Sequence, residues 1–179
     1  SFFVTYANID RYEPATPAPD VAERAELDRW IISELNLLVT DVTGDLEGFE
    51  PHSASRRSEA FVESLSNWYV RRSRRRFWKG GLLDEPGGGA DQDKLAAYAT
   101  LYEVLVTLCR LLAPMLPLTT EAMYRNLVSK GQPSRESVHL DDYPVADPSL
   151  VDRELTDVTR LAMRLSSMGR AARSKAGIK

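Results

Sequence analysis

Residues 70–79 read Val-Arg-Arg-Ser-Arg-Arg-Arg-Phe-Trp-Lys and carry six positive charges with no negative one. Guanidinium groups at this density suit one chemistry above others, the charge-assisted hydrogen bond to phosphate or carboxylate. The whole chain has a net charge of −3, with 23 basic against 26 acidic side chains. Outside the cluster the balance is therefore 17 against 26, and the rest of the protein repels polyanions. Such a chain can meet a phosphate backbone at a local patch and repel it elsewhere.

The spacing allows two uses of these arginines. On a regular helix, Arg72 and Arg76 continue the face of Phe61, Leu65 and Trp68, while Arg74 lies well off it, with Arg71 and Arg75 at its shoulder. A structural use lays Arg72 and Arg76 on apolar neighbours and pairs them with acids of adjacent helices, the candidates being Glu34, Asp41, Asp45 and Glu103. A binding use sends guanidinium groups to RNA phosphates, with Trp78 or Tyr69 as a stacking surface. The reading adopted divides them: Arg72 and Arg76 mainly to structure, and Arg71, Arg74, Arg75 and Lys79 to RNA. A second basic cluster, Arg160, Arg164, Arg170, Arg173, Lys175 and Lys179, is either a solvated helix face or an extension of the same positive track.

Other reactive residue types form no constellation. His52 and His139 stand without the spacing of a zinc site. Cys109, the single cysteine, falls among leucines and is expected to be a buried thiol in a reducing cytosol. The glycines at 80–89 lack the Gly-Lys-Ser/Thr of a nucleotide-phosphate loop, so a surface connection is expected there. No catalytic site and no metal site is expected.

The elements that must position the arginines are helices. Leu27, Ile31, Leu35, Leu38, Val42 and Leu46 recur at steps of three and four and predict a helix over 25–46. Gly48 ends it, and Pro51 suits the first turn of a second helix running to about Trp78. Asp91 caps a third, with Leu95, Tyr98, Tyr102, Leu105, Leu108 and Leu112 on its buried face. Pro114 and Pro117 break that helix; a short one follows near 119–127, then loop over 128–148 and a last helix over 149–173. Residues 1–25, with Pro14, Pro17 and Pro19, read as an irregular lead-in, and Val138 to Leu140 is the one weak strand candidate. The expectation is an all-α bundle of about four to five helices: a junction over 1–25, the bundle over 26–148 and a terminal helix over 149–179. Charges and prolines make 95–118 a poor membrane span. No secretory leader opens the chain, and its ends, Ser1 and Lys179, suggest an excised piece of a longer protein.

The block Leu65-Ser-Asn-Trp-Tyr-Val-Arg-Arg-Ser-Arg-Arg-Arg-Phe-Trp78 resembles a signature of isoleucyl-tRNA synthetases in their helical anticodon-binding domain. It is joined in order by Phe2-Phe3-Val-Thr-Tyr-Ala-Asn-Ile-Asp10, Leu27-Asp-Arg-Trp-Ile-Ile-Ser-Glu-Leu-Asn36, Ala99-Thr-Leu-Tyr-Glu-Val-Leu105 and Leu112-Ala-Pro-Met-Leu-Pro117. Glu136-Ser-Val-His-Leu-Asp-Asp-Tyr-Pro144 and Gly169-Arg-Ala-Ala-Arg-Ser-Lys-Ala-Gly-Ile-Lys179 complete the series. Valyl and leucyl enzymes share weaker forms of several blocks; the arginine run and the Ser-Val-His-Leu segment favour isoleucyl. The resemblance implies a parent that attaches isoleucine to its tRNA using ATP and Mg, with separate catalytic and editing domains, working in the cytosol as a monomer. It implies that this part packs on the anticodon arm and adjoins the parent's catalytic and C-terminal domains; from the charge clusters, the residues expected to touch the RNA are Arg71, Arg74, Arg75, Trp78, Lys79, Arg170, Arg173 and Lys175. The family's His-Ile-Gly-His and Lys-Met-Ser-Lys-Ser motifs are absent from these 179 residues, so neither ATP nor a metal is expected to bind here. The competing reading is a helical scaffold that uses all its arginines internally and touches no RNA.

Overall fold

The computed structural model describes residues 2–78, 91–128 and 136–178. Among these the chain is all-α, with no strand, as the apolar periodicities require. Helix α1 is Phe2–Asp10, α2 Glu26–Glu47, α3 Pro51–Ser64, α4 Arg71–Trp78, α5 Gln92–Leu112, α6 Pro117–Leu127 and α7 Arg153–Lys175. A π-helical stretch, Leu65–Val70, joins α3 to α4 without a break, so 51–78 is one long rod as expected.

The stripe of α2 buries Ile31, Leu35, Leu38 and Val42 together with Trp30, Ile32 and Val39, so its inner face is broader than the periodicity alone indicated. Helix α5 runs through the centre, touching α2, α4, α6 and α1. Asp91 caps it as expected, its Oδ1 accepting from the amides of Asp93 and Lys94 at 3.0 and 3.2 Å. By length and apolar content α5 could cross a bilayer, but the core already occupies the larger part of its apolar surface. Cys109 on this helix is 1% exposed, as expected of a core thiol.

Two expectations need correction. The lead-in contains a helix: Phe3, Ala7 and Asp10 follow helical spacing and are buried, and only at Arg11, with φ 52, does the backbone turn left-handed and stop. The prolines govern 14–19 but not the aromatic segment before them. Phe3 packs edge-on against Tyr98 at 6.1 Å, Phe2 against Phe77 at 5.3 Å, and Tyr12 stacks on Tyr98 at 4.8 Å. Asp10 accepts hydrogen bonds from the Tyr98 hydroxyl and from Lys94 Nζ, the latter at 2.7 Å, which ties the end of α1 to the start of α5. The weak strand candidate at Val138–Leu140 is a 3-10 turn, started by the Ser137 side chain and anchored to α6 where Glu121 accepts from the Val138 amide at 2.9 Å. Helix α7 begins at Arg153 because the Asp152 carboxylate caps it, accepting from the Leu155 amide; Pro148–Leu150 before it forms a separate 3-10 turn.

Burial of acids in this core sets an alkaline limit on stability. The Cys109 thiol is pushed from 9.0 to about 11 by burial, and the Tyr12 phenol from 10.0 to about 12 by burial and its neighbour Tyr102, with Arg24 opposing. Both groups are protonated in the folded state at pH values where the unfolded chain would release them. Their contribution is complete below about pH 9 and is lost as pH rises through 11 and 12. Thermal melts should therefore show Tm falling progressively above pH 9; a level Tm to pH 12 contradicts the assignment.

Candidate nucleic-acid interface

From Phe61 onward the buried side chains of the 51–78 rod are Phe61, Leu65, Tyr69, Ser73 and Phe77, each four residues after the last. In a regular helix such a stripe drifts by about 40° per step. The π stretch inserts one residue into the winding, which turns the later face back by about 100° and keeps the stripe on the core. Everything after Val70 is thus rotated from where uniform helical winding puts it.

That rotation decides the fate of each arginine. Ser73 and Phe77 point inward, and Arg76 sits at the edge of the core, its side chain 12% exposed. Its Nη1 and Nη2 donate to Asp28 Oδ1 and Oδ2 at 2.8 and 2.6 Å, a fork-on-fork pair, and Nη2 also reaches the backbone carbonyl and carboxylate of Asp93 at 2.8 and 2.9 Å. Asp28 is fully buried and accepts a further 2.6 Å bond from the Tyr69 hydroxyl. Burial opposes the Arg76 charge, yet hydrogen bonds and charge from Asp28 hold its pKa above the ordinary value. Burial, then Asp28, lifts Tyr69 well above its own. Arg76 is structural, as expected.

Its partner is not among the four acids named from sequence. Glu34 binds Arg160, Asp41 and Asp45 bind Arg57, and Glu103 binds Arg24. Arg72 is exposed rather than built into the core; its guanidinium lies 4.7 Å from the centre of the Trp68 ring, a cation–π contact at the surface. Tyr69 is fully buried and cannot serve as a stacking surface.

Arg71, Arg74 and Arg75 are exposed and make no ion pair among the described residues. Trp78 follows at 59% exposure, its indole Nε1 donating to the Tyr6 hydroxyl at 2.7 Å, which fixes the ring against α1 and leaves much of it open. Arg74 rims a 720 Å³ groove whose walls include Phe2, Leu65, Leu105 and Leu127. Lys79 lies outside the described residues. Arg75, in the last turn of α4, also meets the negative end of its dipole, a stabilising role that leaves its donors free for a ligand. The surface so formed presents four guanidinium groups, Arg71, Arg72, Arg74 and Arg75, and one indole, a set able to bind successive phosphates and stack one base.

The second basic cluster lies elsewhere. Thr156 hydrogen-bonds Ser33, Arg160 binds Glu34 through two bonds of 2.9 and 2.7 Å, and Met163 and Arg164 line a groove with Leu37, Leu38 and Asp41. Along this sequence of contacts α7 climbs α2 away from Asp28, and so away from Arg76. Arg170, Arg173 and Lys175 are exposed near the far end of α7. The structure therefore brings Arg71, Arg74, Arg75 and Trp78 together and leaves Arg170, Arg173 and Lys175 as a separate surface. The residues missed from sequence are Asp28, Asp93 and Tyr6, which set and orient the surface without belonging to it.

Comparison with known proteins gives this geometry a family. Residues 28–179 match the family described as the anticodon-binding domain of tRNA ligase. The chain is 56% identical to an isoleucine–tRNA ligase of Dehalococcoides mccartyi, with all of the chain and 17% of the relative covered. It is 45% identical to that of Thermus thermophilus, covering all of the chain and 16% of the relative, and 44% identical to that of Porphyromonas gingivalis, covering 99% and 15%. The chain thus spans about one-sixth of the length of these relatives. On its fold and on a match that runs through nearly every helix, the chain belongs to the anticodon-binding domain family of tRNA ligases.

Proposed function

We propose that this chain is the module of an isoleucine–tRNA ligase that holds the anticodon arm of its tRNA, in a parent that joins isoleucine to tRNA with ATP and Mg. The observation that carries the reading is the exposed band of Arg71, Arg74 and Arg75 on α4, without ion-pair partners among the described residues of a chain whose net charge is −3. In the scaffold alternative these arginines would be consumed internally, and among the described residues only Arg76 of the run is ion-paired. Arg71, Arg74 and Arg75 are assigned to phosphates, Trp78 to a base or sugar face, and Lys79 to the same surface. Arg170, Arg173 and Lys175 are assigned to a second stretch of RNA, reached from α7.

No phosphate loop is present in the sequence, and among the described residues no group of three His, Cys, Asp or Glu side chains could hold a metal. The module's share of the work is positional: it fixes the distal arm so that the acceptor end is delivered elsewhere on the ligase. The parent is proposed to act in the cytosol as a monomer.

The phosphate contacts of Arg71, Arg74 and Arg75 alone contribute roughly −2 to −3 to the salt slope, hence a loss of at least about 20- to 40-fold in tRNA affinity between 50 and 200 mM salt. Equilibrium binding of isoleucine-accepting tRNA to the ligase at these two salt concentrations tests the reading. Affinity that does not respond to salt would move the chain to the scaffold class.

A further inference from the structure

Helix α7 has two faces, and only one is used by the described residues. Thr156, Arg160 and Met163 face α2 and α3. About half a turn round the helix stand Val158, Leu161, Leu165 and Met168, at 58%, 56%, 58% and 67% exposure. Their steps of three, four and three are the spacing by which one helix presents a seam to another. Isolated apolar residues on a surface need no explanation, but four in register on one helix do.

A second observation falls on the same face. Gly169, beside Met168, is in the middle of a helix, where glycine costs about 1 kcal/mol relative to alanine. Its φ is not positive, and a Cβ built there meets nothing within 4 Å, so no contact within the described chain calls for glycine. Ala162 and Ala172 flank the seam in the same way, and small residues let helix axes approach closely.

We propose that this seam is the docking site for an apolar-faced helix from the part of the ligase polypeptide lying outside residues 1–179. The proposal rests on the reading that this module works within a longer ligase. The D. mccartyi relative devotes only 17% of its length to the region matched by this chain, which leaves ample polypeptide to supply the occupant. Area favours a tethered segment over a second copy. The four side chains offer on the order of 400 Å², about half of the roughly 800 Å² per partner typical of a stable interface between separate proteins. A segment on the same chain is held at an effective concentration in the millimolar range and can dock through a smaller patch. RNA is a poor occupant, since the seam offers it neither charge nor an aromatic ring. Arg170 and Arg173 project from other sides of the helix, so docking here leaves them available.

The test uses full-length ligase without tRNA, carrying Leu161→Cys, and follows maleimide labelling of that peptide by mass spectrometry against free cysteine. The native Cys109 is buried and does not compete. The proposal expects labelling of Leu161→Cys to be slowed at least tenfold, independently of protein concentration, and to be accelerated when Leu165→Asp is added. Labelling near the free-cysteine rate overturns it. So does protection that disappears on dilution, which would indicate a second copy, and so does protection seen only with added tRNA. Because no RNA is present in the first arm, its outcome is separate from the outcome of the tRNA-binding reading.

Discussion

Replacing Arg76 with methionine will destabilise the folded chain by about 3–5 kcal/mol, the range for removing one partner of a buried ion pair. The cost comes from what stays behind. Asp28 would be stranded at 0% exposure with the Tyr69 hydroxyl as its remaining side-chain hydrogen-bond partner among the described residues. Methionine preserves much of the apolar stem, so the loss reports charge and hydrogen bonding more than packing. For a chain of this size the effect corresponds to a fall in Tm of roughly 6–20 °C. Adding Asp28→Asn to Arg76→Met should recover a large part of it, since the stranded charge is then gone. By contrast, alanine at Arg71, Arg74 or Arg75 should each change stability by no more than about 0.5 kcal/mol, as expected of exposed positions away from special contacts. Thermal or urea denaturation of the five variants measures this. A stability loss at Arg74 equal to that at Arg76 would mean the arginines share one structural role.

This division was partly legible in the sequence. Counting at 100° per residue separated Arg76 from Arg71, Arg74 and Arg75, and the apolar stripes of α2 and α5 were visible because leucine, isoleucine and tyrosine at steps of three and four have few other uses in a soluble chain. What could not be read was the winding fault at Leu65–Val70. No residue type announces a π stretch, and it rotates all that follows by about 100°. Hence Arg72, which uniform winding places on the face of Phe61, Leu65 and Trp68 with an acid partner, lies on the surface over Trp68 and has no ion pair among the described residues. Asp28 was overlooked for a related reason. It follows Leu27 at the start of α2, where an acid is expected to do no more than offset the helix dipole, whereas here it bonds Tyr69 and Arg76 across helices. Helix α1 was hidden by the prolines after it, although Phe3, Ala7 and Asp10 already carried helical spacing. The exposed seam on α7 was legible as apolar periodicity, but sequence cannot distinguish a face that meets the bundle from one that is left for another partner.

The second large effect concerns binding. Alanine at Arg71, Arg74 and Arg75 together should weaken tRNA binding by roughly 100-fold at moderate salt, if each charge-assisted contact contributes about 1 kcal/mol. The effect should fall on cognate and non-cognate tRNA alike, because phosphate contacts position the RNA without reading its bases. Trp78→Ala should act differently, lowering affinity without altering the salt slope, because a stacked ring releases no counterions. Arg125 provides a control: it is exposed on α6 and paired with Glu121 at 2.6 Å, and its removal should leave binding unchanged.

The decisive measurement is the slope of log affinity against log salt for isoleucine tRNA, with the native ligase and with Arg71, Arg74 and Arg75 all changed to alanine. The α4 surface described here requires the slope to become shallower by roughly 2–3 in the triple variant while its Tm stays near that of the native protein. An unchanged slope in a folded triple variant contradicts the account and removes these guanidinium groups from the RNA interface.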